Sequence, residues 1–124
     1  MSDHLFEITK GCSFDAAHYL PVGPNAHRYR RMHGHSFRVE ASLRGTADAQ
    51  DAWVADLGEL ETALGAAAAA LDHSVLNEQP GLETPTLERL CLYFAAKLKP
   101  DFPGLSRIVV ARPSVGESCA LTLG

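Results

Sequence analysis

Cysteine is scarce in this chain, and its three copies, Cys12, Cys91 and Cys119, form no C-x-x-C pair. An odd count without paired spacing argues against a disulfide framework and against a thiolate metal cage, and fits free thiols in a reducing compartment. Basic charge is also short: Lys plus Arg number 11 against 15 Asp plus Glu, a formal net charge of -4. The cations gather only at His27-Arg28-Tyr29-Arg30-Arg31, so the broad cationic footprint that binds nucleic acid is missing. No apolar run is long enough to span a bilayer, and Met1-Ser2-Asp3-His4 lacks the charged start and apolar stretch of a signal peptide. A cytoplasmic protein without membrane or nucleic-acid partners is expected. There are no internal repeats, and the only biased stretch is the alanine run 66–70.

With 124 residues the expected organisation is a single domain, 1–124, at a size where a subunit interface often completes the burial. Against this plain background the histidines stand out. His18 closes Phe14-Asp15-Ala16-Ala17-His18, and His33 and His35 lie in Met32-His33-Gly34-His35-Ser36-Phe37. Side chains two apart on a strand share a face, so His33 and His35 can point at one ion while Gly34 faces away. Phe37, Val39, Ala41 and Leu43 continue their parity, and Ser36, Arg38, Glu40, Ser42 and Arg44 take the other, the alternation of a half-buried strand. Ile8, Cys12, Phe14, Ala16 and His18 read as a second strand that brings the third imidazole alongside. Three neutral imidazoles suit zinc and leave a fourth position open, the arrangement of a catalytic metal. A lone H-x-H pair also occurs by chance in strands, and His4, His27 and His73 are the alternative ligands. The basic cluster before His33 either faces an anionic group, with phosphate the natural candidate, or is a solvated loop.

The remaining chain reads as two helices and two strands. Pro21-Val22-Gly23-Pro24-Asn25 forms a turn after the first strand, and 45–51 is a polar connection. Asp56 with Glu59 predicts a capping box, followed by an apolar stripe of Leu57, Leu60, Leu64, Ala67, Ala68 and Leu71. Thr84-Pro85-Thr86 predicts a cap and a first-turn proline for a second helix whose buried face is Leu87, Leu90, Cys91, Phe94 and Leu98, ending at Pro100. Residues 105–111 and 118–123 read as strands joined around Pro113 and Gly116. The order ββααββ fits an α+β fold: a four-stranded antiparallel sheet with both helices on one face, the other face awaiting a neighbouring subunit.

Five segments in this order, Phe14-Asp15-Ala16-Ala17-His18, Met32-His33-Gly34-His35-Ser36-Phe37, Val54-Ala55-Asp56-Leu57, Leu71-Asp72-His73-Ser74-Val75-Leu76-Asn77 and Thr84-Pro85-Thr86-Leu87-Glu88, resemble the 6-pyruvoyltetrahydropterin and 6-carboxytetrahydropterin synthase family over nearly the whole chain. The resemblance implies the tunnelling fold, zinc held by His18, His33 and His35, a homohexamer built from two trimeric β-barrels, and active sites at subunit interfaces. It implies 7,8-dihydroneopterin triphosphate as substrate, with zinc on the side-chain hydroxyls, proton removal and elimination of triphosphate. Asp72 and His73 match the family's proton-transfer pair, in which the carboxylate fixes the imidazole tautomer and stabilises the protonated ring. Thr86 matches a threonine lining the family's substrate pocket.

Two positions depart from the family pattern. Tyr29 stands where the family has a cysteine, four residues before the first histidine of H-G-H, and Cys12 or Cys119 could only approach that place in space. Tyrosine ionises near pH 10 and needs zinc or a neighbouring cation, such as Arg28, Arg30 or Arg31, to act as a base at neutral pH. Arg112 stands where the family has a pterin-binding glutamate; a guanidinium carries only donors and suits a carboxylate or phosphate. Glu117 replaces the lost acceptor if the strand connection is remodelled. The expected function is a zinc-dependent carbon-oxygen lyase of the pterin synthase type acting on a small substrate, with His73, Asp72 and Tyr29 catalytic and Arg112, Thr86, Glu117 and Arg28 binding substrate. The alternatives are a zinc lyase, aldolase or cyclase with a non-pterin substrate, and a non-catalytic zinc-binding homologue.

Overall fold

The computed structural model describes residues 4–23, 26–47 and 49–124, and for 26 and 27 the backbone alone. Met1, Ser2 and Asp3, the Pro24-Asn25 half of the expected turn, Asp48 of the polar connection and the His27 side chain lie outside this description. Four strands, β1 (Phe6–His18), β2 (His33–Gly45), β3 (Leu105–Arg112) and β4 (Glu117–Thr122), form one antiparallel sheet in the order β1-β2-β3-β4. The sheet is open, with β1 and β4 at its edges. The two predicted helices are α2 (Leu57–Ala69) and α3 (Leu87–Leu98); a single turn, α1 (Ala26–Tyr29), sits in the basic segment that was expected to be a loop. The order ββααββ of the main elements is as expected.

Alternation decides which face of the sheet is buried. Phe14, Ala16 and His18 of β1, Phe37, Val39, Ala41 and Leu43 of β2, and Ile108 and Val110 of β3 turn inward onto Leu60, Leu64, Leu90, Phe94 and Leu98 of the helices. Phe14 stacks on Phe37 at 5.1 Å between ring centroids and meets Phe94 at 5.8 Å, so one aromatic cluster ties β1, β2 and α3 together beneath the histidine end of the sheet. The opposite face is mostly polar and exposed, from Thr9, Ser13 and Asp15 to Ser36, Arg38 and Arg107. The sheet twists past a register shift between Ser42 and Leu43.

Three local expectations are corrected. Asp56 caps α2 by accepting from the Gly58 amide at 2.7 Å, and among the described residues no Glu59 side-chain bond closes the expected box. Leu57 is 39% exposed, because as the first residue of α2 it precedes the turn that dives onto the sheet. Thr86 is the cap of α3, accepting from Arg89 N at 3.2 Å, which puts Pro85 ahead of the helix instead of in its first turn.

Candidate metal and active site

The β1/β2 register builds the site. His18 is the cross-strand partner of His33, and Ala16 of His35, so the three imidazoles emerge side by side from the inward face at one end of the sheet. Their ring centroids lie 4.6, 5.1 and 4.8 Å apart. One nitrogen from each ring falls within 4.8 Å of the others, the only such metal-capable group of histidine, cysteine and acidic side chains among the described residues. His18 Nε2 and His33 Nε2 are 3.1 Å apart, close to the roughly 3.3 Å that two ligands about 2.0–2.1 Å from a tetrahedral zinc would show.

The chemistry of this donor set fits zinc. His33 Nδ1 lies 2.7 Å from the Arg31 carbonyl, which can only accept; Nδ1 therefore carries the proton and Nε2 presents its lone pair. His18 is fully buried. Burial first, then the neighbouring His33, His35 and Arg112, push its pKa down to about 4 against a weak opposing pull from the Pro85 carbonyl. Burial and Arg112 likewise lower His35. Both rings are thus held neutral, the protonation state that ligation needs. His18 Nδ1 is buried without a well-aligned hydrogen-bond partner.

Two cavities flank the triad. The first, about 350 Å3, opens onto His33 and His35 and is walled by Arg28, Tyr29, Arg112 and Glu117. Four residues singled out from the sequence are therefore assembled beside the imidazoles. Arg28 Cζ sits 5.5 Å from the centre of the Tyr29 ring. Neither candidate replacement thiol is here: Cys12 lies opposite Val39 well along β1, and Cys119 meets Cys91 under α3, whose thiol is buried and raised to about 12. Thr86 lines neither cavity and spends its hydroxyl on the helix cap.

The second cavity, about 600 Å3, lies at the same end of the sheet, lined by Asp15, Ala17, Gly34 and Ser36 of the opposite parity and also by His35, and it contains His73. The segment after α2 docks against the free edge of β1: His73 N donates to Asp15 O at 2.6 Å, Ala17 N to Ser74 O at 2.9 Å, and Asp15 N to Asp72 Oδ1 at 2.9 Å. This docking holds His73 at φ 58°, the left-handed region that a non-glycine residue enters at a cost. Its Nδ1 is 2.9 Å from Asp72 Oδ2, leaving Nε2 outward on a side chain 80% exposed. The Asp15 amide, then His73, holds the Asp72 carboxyl below the usual carboxylate range. His35 borders this cavity as well as the smaller one, so His73 of the Asp72-His73 pair shares a cavity with one member of the triad.

Sequence reasoning missed Asp15, Ser36 and Asn77. Ser36 Oγ donates to Asp15 Oδ1 at 2.5 Å, and Asn77 grips both Tyr19 N and Tyr19 O, at 3.1 and 2.8 Å, just past His18. Asp15 and Ser36 lay within the histidine segments, at the opposite parity, and that was their available signal.

Residues 7–122 match the family model described as 6-pyruvoyl tetrahydropterin synthase. The chain is 38% identical over 112 residues to the 6-carboxy-5,6,7,8-tetrahydropterin synthase of Synechocystis sp., covering 86% of this chain and 85% of that protein. Its fold overlays the Caenorhabditis elegans 6-pyruvoyl tetrahydropterin synthase with a TM-score of 0.82 at 21% identity, covering 98% and 97% of the two chains. The Plasmodium vivax enzyme of that name gives 0.75 at 17%, covering 98% and 99%. On the extent of the family match and the closeness of its cyanobacterial relative, this chain belongs to the 6-pyruvoyl tetrahydropterin synthase family.

Proposed function

We propose that this chain is a zinc-dependent carbon-oxygen lyase of the tetrahydropterin synthase type, acting on 7,8-dihydroneopterin triphosphate or a related small anionic substrate. The observation that carries this reading is the convergence of His18, His33 and His35 beside an open cavity, with one ring locked by the Arg31 carbonyl in the ligating tautomer. Zinc held there supplies a Lewis acid for a hydroxyl or carbonyl oxygen of the substrate.

The protein groups share out the remaining work. Arg28 and Arg112 bring positive charge to an anionic substrate in the cavity that His33 and His35 border. His73, fixed by Asp72 with its Nε2 outward, removes a proton from a side-chain carbon; that C–H pair becomes the new π-bond, and the C–O bond to triphosphate breaks with its electrons leaving on the phosphate. Tyr29, walling the same cavity as the metal ligands, donates or accepts a second proton. Glu117 lines the same cavity wall beside Arg112, and Thr86 serves as the cap of α3. By the family resemblance the active sites lie at subunit interfaces, so each His73 serves the metal group of a neighbouring copy in a homohexamer, whose barrels join the edge strands β1 and β4.

The test is direct: zinc-loaded protein is incubated with 7,8-dihydroneopterin triphosphate while triphosphate release and the pterin spectrum are followed. Turnover that His73→Ala abolishes and Cys12→Ala leaves intact supports the reading. Tight zinc binding without turnover rejects 7,8-dihydroneopterin triphosphate as the substrate in favour of a different substrate or a non-catalytic role.

A further inference from the structure

Arg112 is a mostly buried charge with an unmet donor. Only 12% of its side chain is exposed, and its Nε is buried without an aligned hydrogen bond, although Glu117 Oε1 lies 3.0 Å away. At that distance the two charges attract, but the N–H is not aimed at the carboxylate. Among the described residues the terminal nitrogens of the fork have no protein partner, and Glu117 is the sole ion-pair partner, itself 46% exposed at the cavity wall. A guanidinium has five donors in a rigid plane matched to two oxygens of one anion, and leaving the buried Nε donor unmet is costly.

The backbone explains why Arg112 is held this way. It ends β3 directly opposite Glu117, the first residue of β4, across the turn Pro113–Val115 that Gly116 closes at φ 70°. The two side chains therefore emerge together at the same end of the sheet as His33 and His35, and the Arg112 charge reaches both His18 and His35. Arg28 stands across the same cavity, so with neutral imidazoles its side-chain charges sum to one excess positive.

We propose that the Arg112 fork is an oxyanion subsite of the active cavity, binding a carboxylate or phosphate of the substrate, with Glu117 as the resident counter-ion that the substrate displaces. The subsite rests on the lyase reading above only for its neighbourhood to the metal ligands. It sets the substrate class: a small molecule whose recognised end is anionic. A ring edge that offers only N–H donors finds no acceptor on Arg112.

The experiment is calorimetric titration of zinc-loaded protein with inorganic phosphate and, separately, with benzoate, in wild type, Arg112→Gln, Arg112→Lys and Glu117→Gln. Arg112→Gln is expected to weaken binding at least 10-fold and Arg112→Lys less, since a lysine keeps the charge without the fork; Glu117→Gln is expected to tighten it several-fold. Preference for benzoate over phosphate assigns a planar carboxylate, and the reverse a phosphate. Unchanged affinity in Arg112→Gln, as for an anion held by zinc alone, overturns the subsite. So does weakened binding in Glu117→Gln, an exposed position whose variant does not depend on folding around a buried charge. Arg112-dependent binding in protein that does not turn over 7,8-dihydroneopterin triphosphate retains the subsite and rejects only the pterin substrate. Turnover with unchanged KM and unchanged anion affinity in Arg112→Gln does the opposite.

Discussion

His18 and His33 face each other across the β1/β2 ladder with their Nε2 atoms 3.1 Å apart, and the Arg31 carbonyl makes His33 offer a lone pair at that point. Two such nitrogens and that of His35 form a donor set waiting for a cation. One equivalent of zinc per chain is the expected result of elemental analysis, with a rise in Tm on loading and a fall on chelation. His18→Ala or His33→Ala should weaken zinc on the order of 100-fold or more, whereas His73→Ala should keep the full equivalent. Full zinc content in His33→Ala would remove the triad as the metal site.

Much of this arrangement was legible in the chain because strand parity is a strong signal. His33, His35 and Phe37 share one face, and the register brings His18 beside them as expected. The helices were legible from Leu60, Leu64, Leu90 and Phe94, which all reach the core. The position of His73 was not, since it depends on hydrogen bonds to Asp15 across 58 residues of chain and on a left-handed backbone that no local pattern announces. The Arg112-Glu117 pair needed the register of β3 with β4, which the short turn at Pro113 and Gly116 decides. Leu57 misled because helical periodicity cannot say where a helix first touches the sheet.

Acidification should unfold the metal-free protein through His18. Its folded pKa of about 4 lies below the ordinary 6.5, so between these values the unfolded chain holds a proton that the folded one refuses. This group's penalty is absent above 6.5, grows as pH falls through the window and levels off below 4. Urea unfolding of chelated protein across that range should show a falling midpoint, and His18→Asn should flatten the fall. A wild-type midpoint that holds constant from pH 7 to 4 would contradict the burial argument.

The core beneath the site sets the stiffness of the strands that carry it. Leu64 of α2 is completely buried, and Leu64→Ala should cost about 2–5 kcal/mol through lost burial and the cavity left behind. Leu92→Ala on α3, whose side chain is 54% exposed, should change stability by no more than about 0.5 kcal/mol. Denaturant midpoints of the two variants, at unchanged zinc stoichiometry, measure the contrast.

An active site shared between subunits, as proposed above, predicts complementation between inactive variants. His35→Ala removes a proposed metal ligand and keeps the Asp72-His73 pair; His73→Ala keeps the triad and removes the proposed base. If the two groups act across an interface, some contacts in a mixed oligomer bring an intact triad against an intact His73, even though every chain is defective. Random pairing of an equal mixture restores about one site in four, because each of the two contributing chains has an even chance of being the right variant. The variants should therefore be inactive alone and recover roughly a quarter of wild-type kcat after joint dissociation and reassembly. If His73 instead serves the triad of its own chain, every site lacks one of the two groups and the mixture stays silent, which would overturn the placement of the active site between subunits.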